Sequence, residues 1–123
     1  MIIVDTAVWV DHLRDGDQEL AGLLEGGRVL AHPWVTGELA LGRLRGRDEI
    51  LRLLDELPQA QVATHAELLA FIGDHELYGV GIGYVDTQLL AATMLTDAVL
   101  WTRDGRLRAA AERLGVAHVP GAY

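Results

Sequence analysis

An α/β fold is predicted by three features: an apolar β-branched run at Met1–Val4, a second such run at Ala98–Thr102, and helices of about ten residues filling most of the chain between them. Strands separated by helices imply parallel β-α-β units whose crossovers cover both faces of a sheet. The expectation is a three-layer α/β/α arrangement around a central parallel sheet of four to five strands.

Met1–Val4 ends at Asp5 and reads as a buried strand. Asp5-Thr6 offers a cap for a short helix over Ala7–Leu13, and Asp17 caps a second over Asp17–Glu25 that Gly26-Gly27 stops. Val29–Ala31 is the next strand. Pro33, at a first-turn position, opens a helix to about Leu44, and a further helix over Asp48–Leu57 ends before Pro58. Gln61–Ala63 is a third, weaker strand candidate, and from the cap Thr64 a helix runs to about His75. Gly79, Gly81 and Gly83 interrupt the chain before a long helix over Tyr84–Thr96. After the strand Ala98–Thr102 come a last helix over Asp104–Leu114, ended by Gly115, and a short strand over Val116–Val119 before Pro120.

There is no internal repeat, low-complexity stretch or Gly/Ser/Pro-rich linker, so one domain over residues 1–123 is expected. The N-terminus has no basic residue before its apolar run, which excludes a signal peptide, and no apolar run is long enough to span a membrane. A cytoplasmic location is the expectation, and the absence of Cys excludes thiol nucleophiles and thiolate metal sites.

All ten basic residues are Arg, which excludes phosphate-loop and Schiff-base lysines. The chain also lacks Ser, so no serine triad is available. The net charge of −8 argues against binding nucleic acid by phosphate neutralisation alone; an acidic protein that touches RNA needs cations. The five histidines show no zinc-ligand spacing and read as surface or capping residues.

A carboxylate isolated in an apolar stretch is more informative than one in a charged run, because burying an uncompensated charge costs several kcal/mol. Asp5 is the only charge from Met1 to Val10, Glu38 the only formal charge from Val29 to Gly42, and Asp86 the only one from Leu77 to Thr96. Glu38 shares a helical stripe with Trp34, Val35 and Leu41 that is expected to face the sheet. Asp86 lies in a first turn with Leu89 and Leu90 one turn on, and is expected to point inward. Asp5 ends a strand, and in open parallel sheets the functional crevice lies beyond the carboxyl ends of the strands. The strand Ala98–Thr102 delivers Asp104 to that same edge.

Four clustered carboxylates repel unless a cation neutralises them, and all-oxygen ligands favour Mg²⁺ or Mn²⁺. Such ions activate water and stabilise charge developing on a phosphodiester, which suggests hydrolysis of a nucleic-acid backbone. Each acid also has an ordinary reading. Asp5, Asp86 and Asp104 suit helix N-termini, Asp104 with Arg103 and Arg106 beside it, and Glu38 suits a buried ion pair with an Arg. Thr102 either hydrogen-bonds a metal-bound water or finishes its strand. Eight of the ten bases fall in two runs, Arg43 to Arg52 and Arg103 to Arg113, which read as solvated helix faces or as phosphate guidance by residues such as Arg43, Arg45, Arg103 and Arg106. Gly79–Gly83 follows a helix and lacks the spacing of a dinucleotide loop, so it reads as a flexible approach to Asp86.

The opening Val4-Asp5-Thr6-Ala7-Val8-Trp9-Val10-Asp11-His12-Leu13-Arg14 closely resembles the start of PIN-domain ribonucleases, in particular VapC-type toxins of bacterial toxin-antitoxin pairs. The likeness continues through Glu38 in its apolar helix, Gly81-Ile82-Gly83-Tyr84-Val85-Asp86 with Leu89-Leu90-Ala91-Ala92, and Leu100-Trp101-Thr102-Arg103-Asp104. It spans essentially the whole chain. The resemblance implies a PIN-like fold and a Mg²⁺ or Mn²⁺ site built from Asp5, Glu38, Asp86 and Asp104. It further implies endonucleolytic cleavage of RNA, a homodimer, and inhibition by a VapB-type antitoxin whose C-terminal segment lies across the toxin and can place an Arg at the acidic site. The family commonly carries a small hydroxyl or Asn where Ala7 stands, which leaves Thr6 and Thr102 as the nearby hydroxyls. The rival readings are a housekeeping PIN nuclease in RNA processing or DNA repair and a catalytically silent module that keeps the fold. A haloacid-dehalogenase phosphatase wants an Asp at the place of Ala7 and a Lys, and is unlike this chain.

Overall fold

The computed structural model describes residues 1–121. Its order is β1 (Ile2–Val4), α1 (Thr6–Asp15), α2 (Gln18–Glu25), β2 (Val29–Leu30), α3 (Pro33–Ala40), α4 (Arg47–Glu56), α5 (His65–Asp74), α6 (Tyr84–Leu95), β3 (Val99–Trp101) and α7 (Gly105–Arg113). The sheet is parallel in the order β2-β1-β3, with Ile3 opposite Leu30 on one side and Leu100 on the other. The α/β class therefore stands, with helices flanking a parallel sheet.

The described residues form three strands rather than the expected four to five. Each missing edge strand is reduced to one bridging residue, Gln59 beside Ala31 and Ala117 beside Leu100. The first bridge lies two residues before the expected strand over Gln61–Ala63. There the Ala31 N–H donates to the Pro58 carbonyl and the Ala60 N–H to the Ala31 carbonyl, after which pairing stops. The Gln59 side chain turns back to donate to the Leu54 and Leu57 carbonyls, using its amide on the end of α4. At the other edge, Leu100 exchanges bonds with Val116 and His118, and the chain then leaves through Pro120. Proline cannot donate to a ladder, so neither edge extends far.

β1 is the centre of the molecule because it pairs on both sides and its three residues are all buried. Its carboxyl end meets that of β3, where the Asp5 N–H donates to the Trp101 carbonyl at 2.9 Å. α6 packs against β1, β3, α5 and α7. It buries an unbroken run from Thr87 to Thr93. A helix buried on all sides is held by packing rather than by an amphipathic stripe, so the residues at its N-terminus are positioned rigidly. α3 ends at Ala40, short of the expected Leu44, and Leu41 caps it almost fully exposed.

Candidate active site

Four elements bring their ends to one edge of the sheet. Asp5 follows β1 and caps α1, its Oδ1 accepting the Thr6 N–H at 2.8 Å. Its Oδ2 accepts the Thr102 hydroxyl at 2.7 Å, and Thr102 Oγ1 in turn accepts the Asp104 N–H at 3.0 Å. Asp5 and Thr102 are both buried, so this chain of hydrogen bonds locks the ends of β1 and β3 in register. Asp104 then caps α7 through its Oδ1, which accepts the Leu107 N–H at 2.9 Å. Glu38 is tied to the same edge by the Thr6 hydroxyl, which donates to its Oε1 at 2.8 Å. The two threonines expected near the site thus each hold a carboxylate.

Asp86, in the first turn of α6, is half-buried, and its carboxyl is raised above the ordinary aspartate range. Loss of solvent is the largest cause, the charges of Asp5 and Asp104 come next, and Glu38 adds to them, while the Gly83 amide pulls the other way. All four expected acids therefore lie within electrostatic reach of one another's edge of the sheet. They are not packed into ligating contact: among the described residues no three His, Asp or Glu side chains are grouped closely enough to hold an ion by themselves.

One expectation about burial needs correction. Glu38 is exposed, because the core face of α3 is set by Val35 and Leu39, and Leu41 lies beyond the helix in solvent. The sheet-facing stripe of Trp34, Val35 and Leu41 does not form as one face; Glu38 reaches the site along the helix flank. Asp104 is exposed as well and does serve as a cap, but neither neighbouring arginine pairs with it.

The basic residues divide sharply. Arg103 is bound to Asp11 and, at 3.3 Å, to Asp17, so its charge is already matched. Arg43 and Arg45 line a separate depression of about 300 Å³ with Val10, Leu13 and Arg14, which none of the four acids lines. Arg106 makes no ion pair among the described residues and lies over Gly81, whose φ of +82° and missing Cβ allow it: an added Cβ would stand 2.7 Å from the guanidinium. It is the basic side chain set against the loop that leads to Asp86.

The histidine reading holds in part. His32 caps α3 through Nδ1, which accepts the Trp34 backbone N–H, and His12 Nδ1 accepts the backbone N–H of Asp17, the residue that caps α2. His32 is nevertheless buried, as is His118, which meets Glu19 and the Trp101 ring. Sequence reasoning also passed over an aromatic group beside the acids, in which Trp34 and His65 flank Tyr84. Tyr84 stands two residues before Asp86 and Trp34 one turn before Glu38, a proximity along the helices that was available from spacing.

Residues 2–113 match the PIN domain. The chain is also 48% identical over 118 residues, 95% of each protein, to Ribonuclease VapC32 of Mycobacterium tuberculosis, in each of two strains. It belongs to the PIN-domain family. Within that family it is of the VapC type, and the resemblance read from Val4–Arg14 onward is confirmed at the level of the whole chain. No helix among the described residues of this PIN protein is long and apolar enough to cross a membrane.

Replacing Thr102 by Val tests the PIN site's inner hydrogen bonds. The variant keeps the shape but leaves the Asp104 N–H without its acceptor and Asp5 Oδ2 without its donor, while Oδ1 keeps the Thr6 N–H. A loss of about 1–3 kcal/mol in unfolding free energy is expected, measured by urea titration, together with a roughly 10- to 100-fold weaker metal response if Thr102 orients a ligand. Unchanged stability would mean that the bond is made as well by water.

Proposed function

We propose that this chain is a metal-dependent endoribonuclease and the toxin of a toxin-antitoxin pair. The observation that carries the reading is the convergence of Asp5, Glu38, Asp86 and Asp104 from four separate elements on one sheet edge, where loss of solvent first, and then the charges of the other three, raise the Asp86 carboxyl. Its 48% identity to a protein named Ribonuclease VapC32 supports the same chemistry.

The donor set fits a hard divalent ion, Mg²⁺ or Mn²⁺. Every candidate donor is a carboxylate or hydroxyl oxygen, and their mutual repulsion is what a cation relieves. Mg²⁺ keeps several waters and takes one or two carboxylates directly, so it would need only part of this set. When bound, the ion would lower the pKa of a water and offset charge on the phosphodiester. The chain's own parts are then distinct. Thr102 fixes the Asp5 carboxylate, Thr6 fixes Glu38, and the rigid α6 holds Asp86 against them. Arg106, unpaired and beside the Gly81 loop, is placed to meet a phosphate, whereas Arg103 holds α1 and the start of α2 together through Asp11 and Asp17. Arg43 and Arg45, on their separate surface, would guide RNA at longer range. As a VapC-type toxin the chain would act in the cytoplasm as a single-domain homodimer and be held inactive by a VapB-type antitoxin.

Thermal unfolding with and without Mn²⁺ tests the ion site without needing the target RNA. At 100 times the dissociation constant, binding adds about 2.7 kcal/mol to the native state, enough to raise the midpoint by several degrees. A midpoint that ignores Mn²⁺ would remove the metal site from the proposal.

A further inference from the structure

The aromatic group beside the acids is built as a surface shelf. Trp34 and Tyr84 lie with ring centroids 5.4 Å apart and planes 31° apart, and His65 meets Tyr84 at 5.8 Å and 32°. Tyr84 is 41% exposed, His65 is exposed and Trp34 half-buried. Aromatic rings of folded proteins ordinarily place their area in the core, yet here three rings from α3, α5 and α6, two of them tilted about Tyr84, are collected at or near the surface.

Their positions are fixed from below. The Gln88 amide donates to Tyr84 Oη at 3.2 Å, and Oη lies 2.9 Å from His65 Nδ1. With Oη accepting from Gln88 and donating to His65, the neutral His65 ring carries its proton on Nε2, which has no partner among the described residues. The Trp34 main chain is anchored at the start of α3, where its backbone N–H donates to His32 Nδ1. The shelf is thus rigid, has an unused donor at its edge, and rises from the two helices that carry Glu38 and Asp86.

We infer that Trp34, Tyr84 and His65 form a stacking platform for an unpaired base of the RNA strand entering the acidic site; the inference rests on the nuclease reading and adds how the substrate is held. An acidic chain of net charge −8 is ill suited to holding RNA by phosphate contacts alone. Stacking on π-faces needs no net charge, tolerates any base, and selects single-stranded over paired RNA because a paired base has no free face. Tyr84 and Trp34 are positioning residues, since they hold the strand and touch no reacting atom.

Binding of a fluorescent octaadenylate RNA, read by anisotropy in EDTA so that no cleavage intervenes, tests the platform. An abasic strand of equal length is the control. Wild type is expected to prefer octaadenylate, Tyr84→Leu to lose roughly 5- to 150-fold of that affinity, the value of one stacked base, and Tyr84→Phe to keep most of it. His65→Ala, an exposed change that spares the core, is expected to weaken binding in the same direction. Equal binding of the two strands by wild type, no RNA binding at all, or full affinity in both Tyr84→Leu and His65→Ala overturns the platform. So does a Tyr84→Leu protein that turns from dimer to monomer in sedimentation with unchanged affinity per protomer, which would make the shelf a contact between copies. Cleavage of RNA with Mn²⁺ that is lost in Asp86→Asn, but without base-dependent binding, leaves the nuclease and removes the platform. Base-dependent binding with no Mn²⁺-dependent cleavage does the reverse.

Discussion

Asp86→Asn is expected to abolish metal-dependent RNA cleavage while leaving the protein folded and, without metal, at least as stable as wild type. The side chain keeps its size, and the substitution removes a half-buried charge that Asp5, Asp104 and Glu38 all oppose. Loss of a group that only orients a metal ligand costs about 10- to 100-fold, so loss of a ligand should exceed that upper figure. Paired measurements decide it: cleavage of total cellular RNA with Mn²⁺, and urea unfolding in EDTA. A variant that cleaves like wild type would remove Asp86 from the site. One that unfolds more easily would show that its carboxylate supports the fold instead of straining it.

His32 is expected to make the domain acid-labile. It is buried, its Nδ1 accepts the Trp34 backbone N–H, and its Nε2 has no partner among the described residues, so protonation would place a charge that none of them meets. Burial lowers its pKa from 6.5 to about 4. Between those values the unfolded chain binds the proton and the folded one does not, so the contribution to stability is complete above about pH 6.5 and drains as pH falls toward 4. Integrated over that window at 1.36 kcal/mol per pH unit, the loss is about 3 kcal/mol. Asp86, raised, acts in the opposite sense at the acid end of the range. The comparison is therefore between wild type and His32→Asn, which keeps a capping oxygen and does not titrate. Subtracting the two stability-pH curves should leave a step between pH 6.5 and 4; parallel curves would mean that His32 is not the sensor.

How much of this was legible in the sequence follows from which physics was local. Asp5, Asp86 and the central strands stood out because a charge beside β-branched or leucine-rich runs contrasts with its neighbours along the chain. The caps at Asp17, Thr64 and Asp104 are local hydrogen bonds and came out where the residue types put them. Glu38 was placed on the right helix but the wrong face, because which side of a two-turn helix meets the core depends on α1 and α4 and not on its own eight residues. Edge strands failed for a related reason: whether Val62 or Val119 pairs depends on a neighbour's free backbone, and both are exposed. The Arg103 ion pairs with Asp11 and Asp17 join residues more than 80 positions apart and leave no trace in spacing.

The hydrogen bond from Thr102 to Asp5 joins residues 97 positions apart, and that separation sets when the acidic edge is assembled as the chain is made. A ribosome delivers Asp5 well before Thr102, at about 5–20 residues per second. β1 can rest against β2 early, but its other edge stays open until β3 emerges, so Asp5 is unrestrained and Asp104 absent through most of synthesis. If the acids act as proposed, a nascent or truncated chain carries no assembled nuclease. The acids come together in one step, once β3 and Asp104 have joined the rest of the sheet.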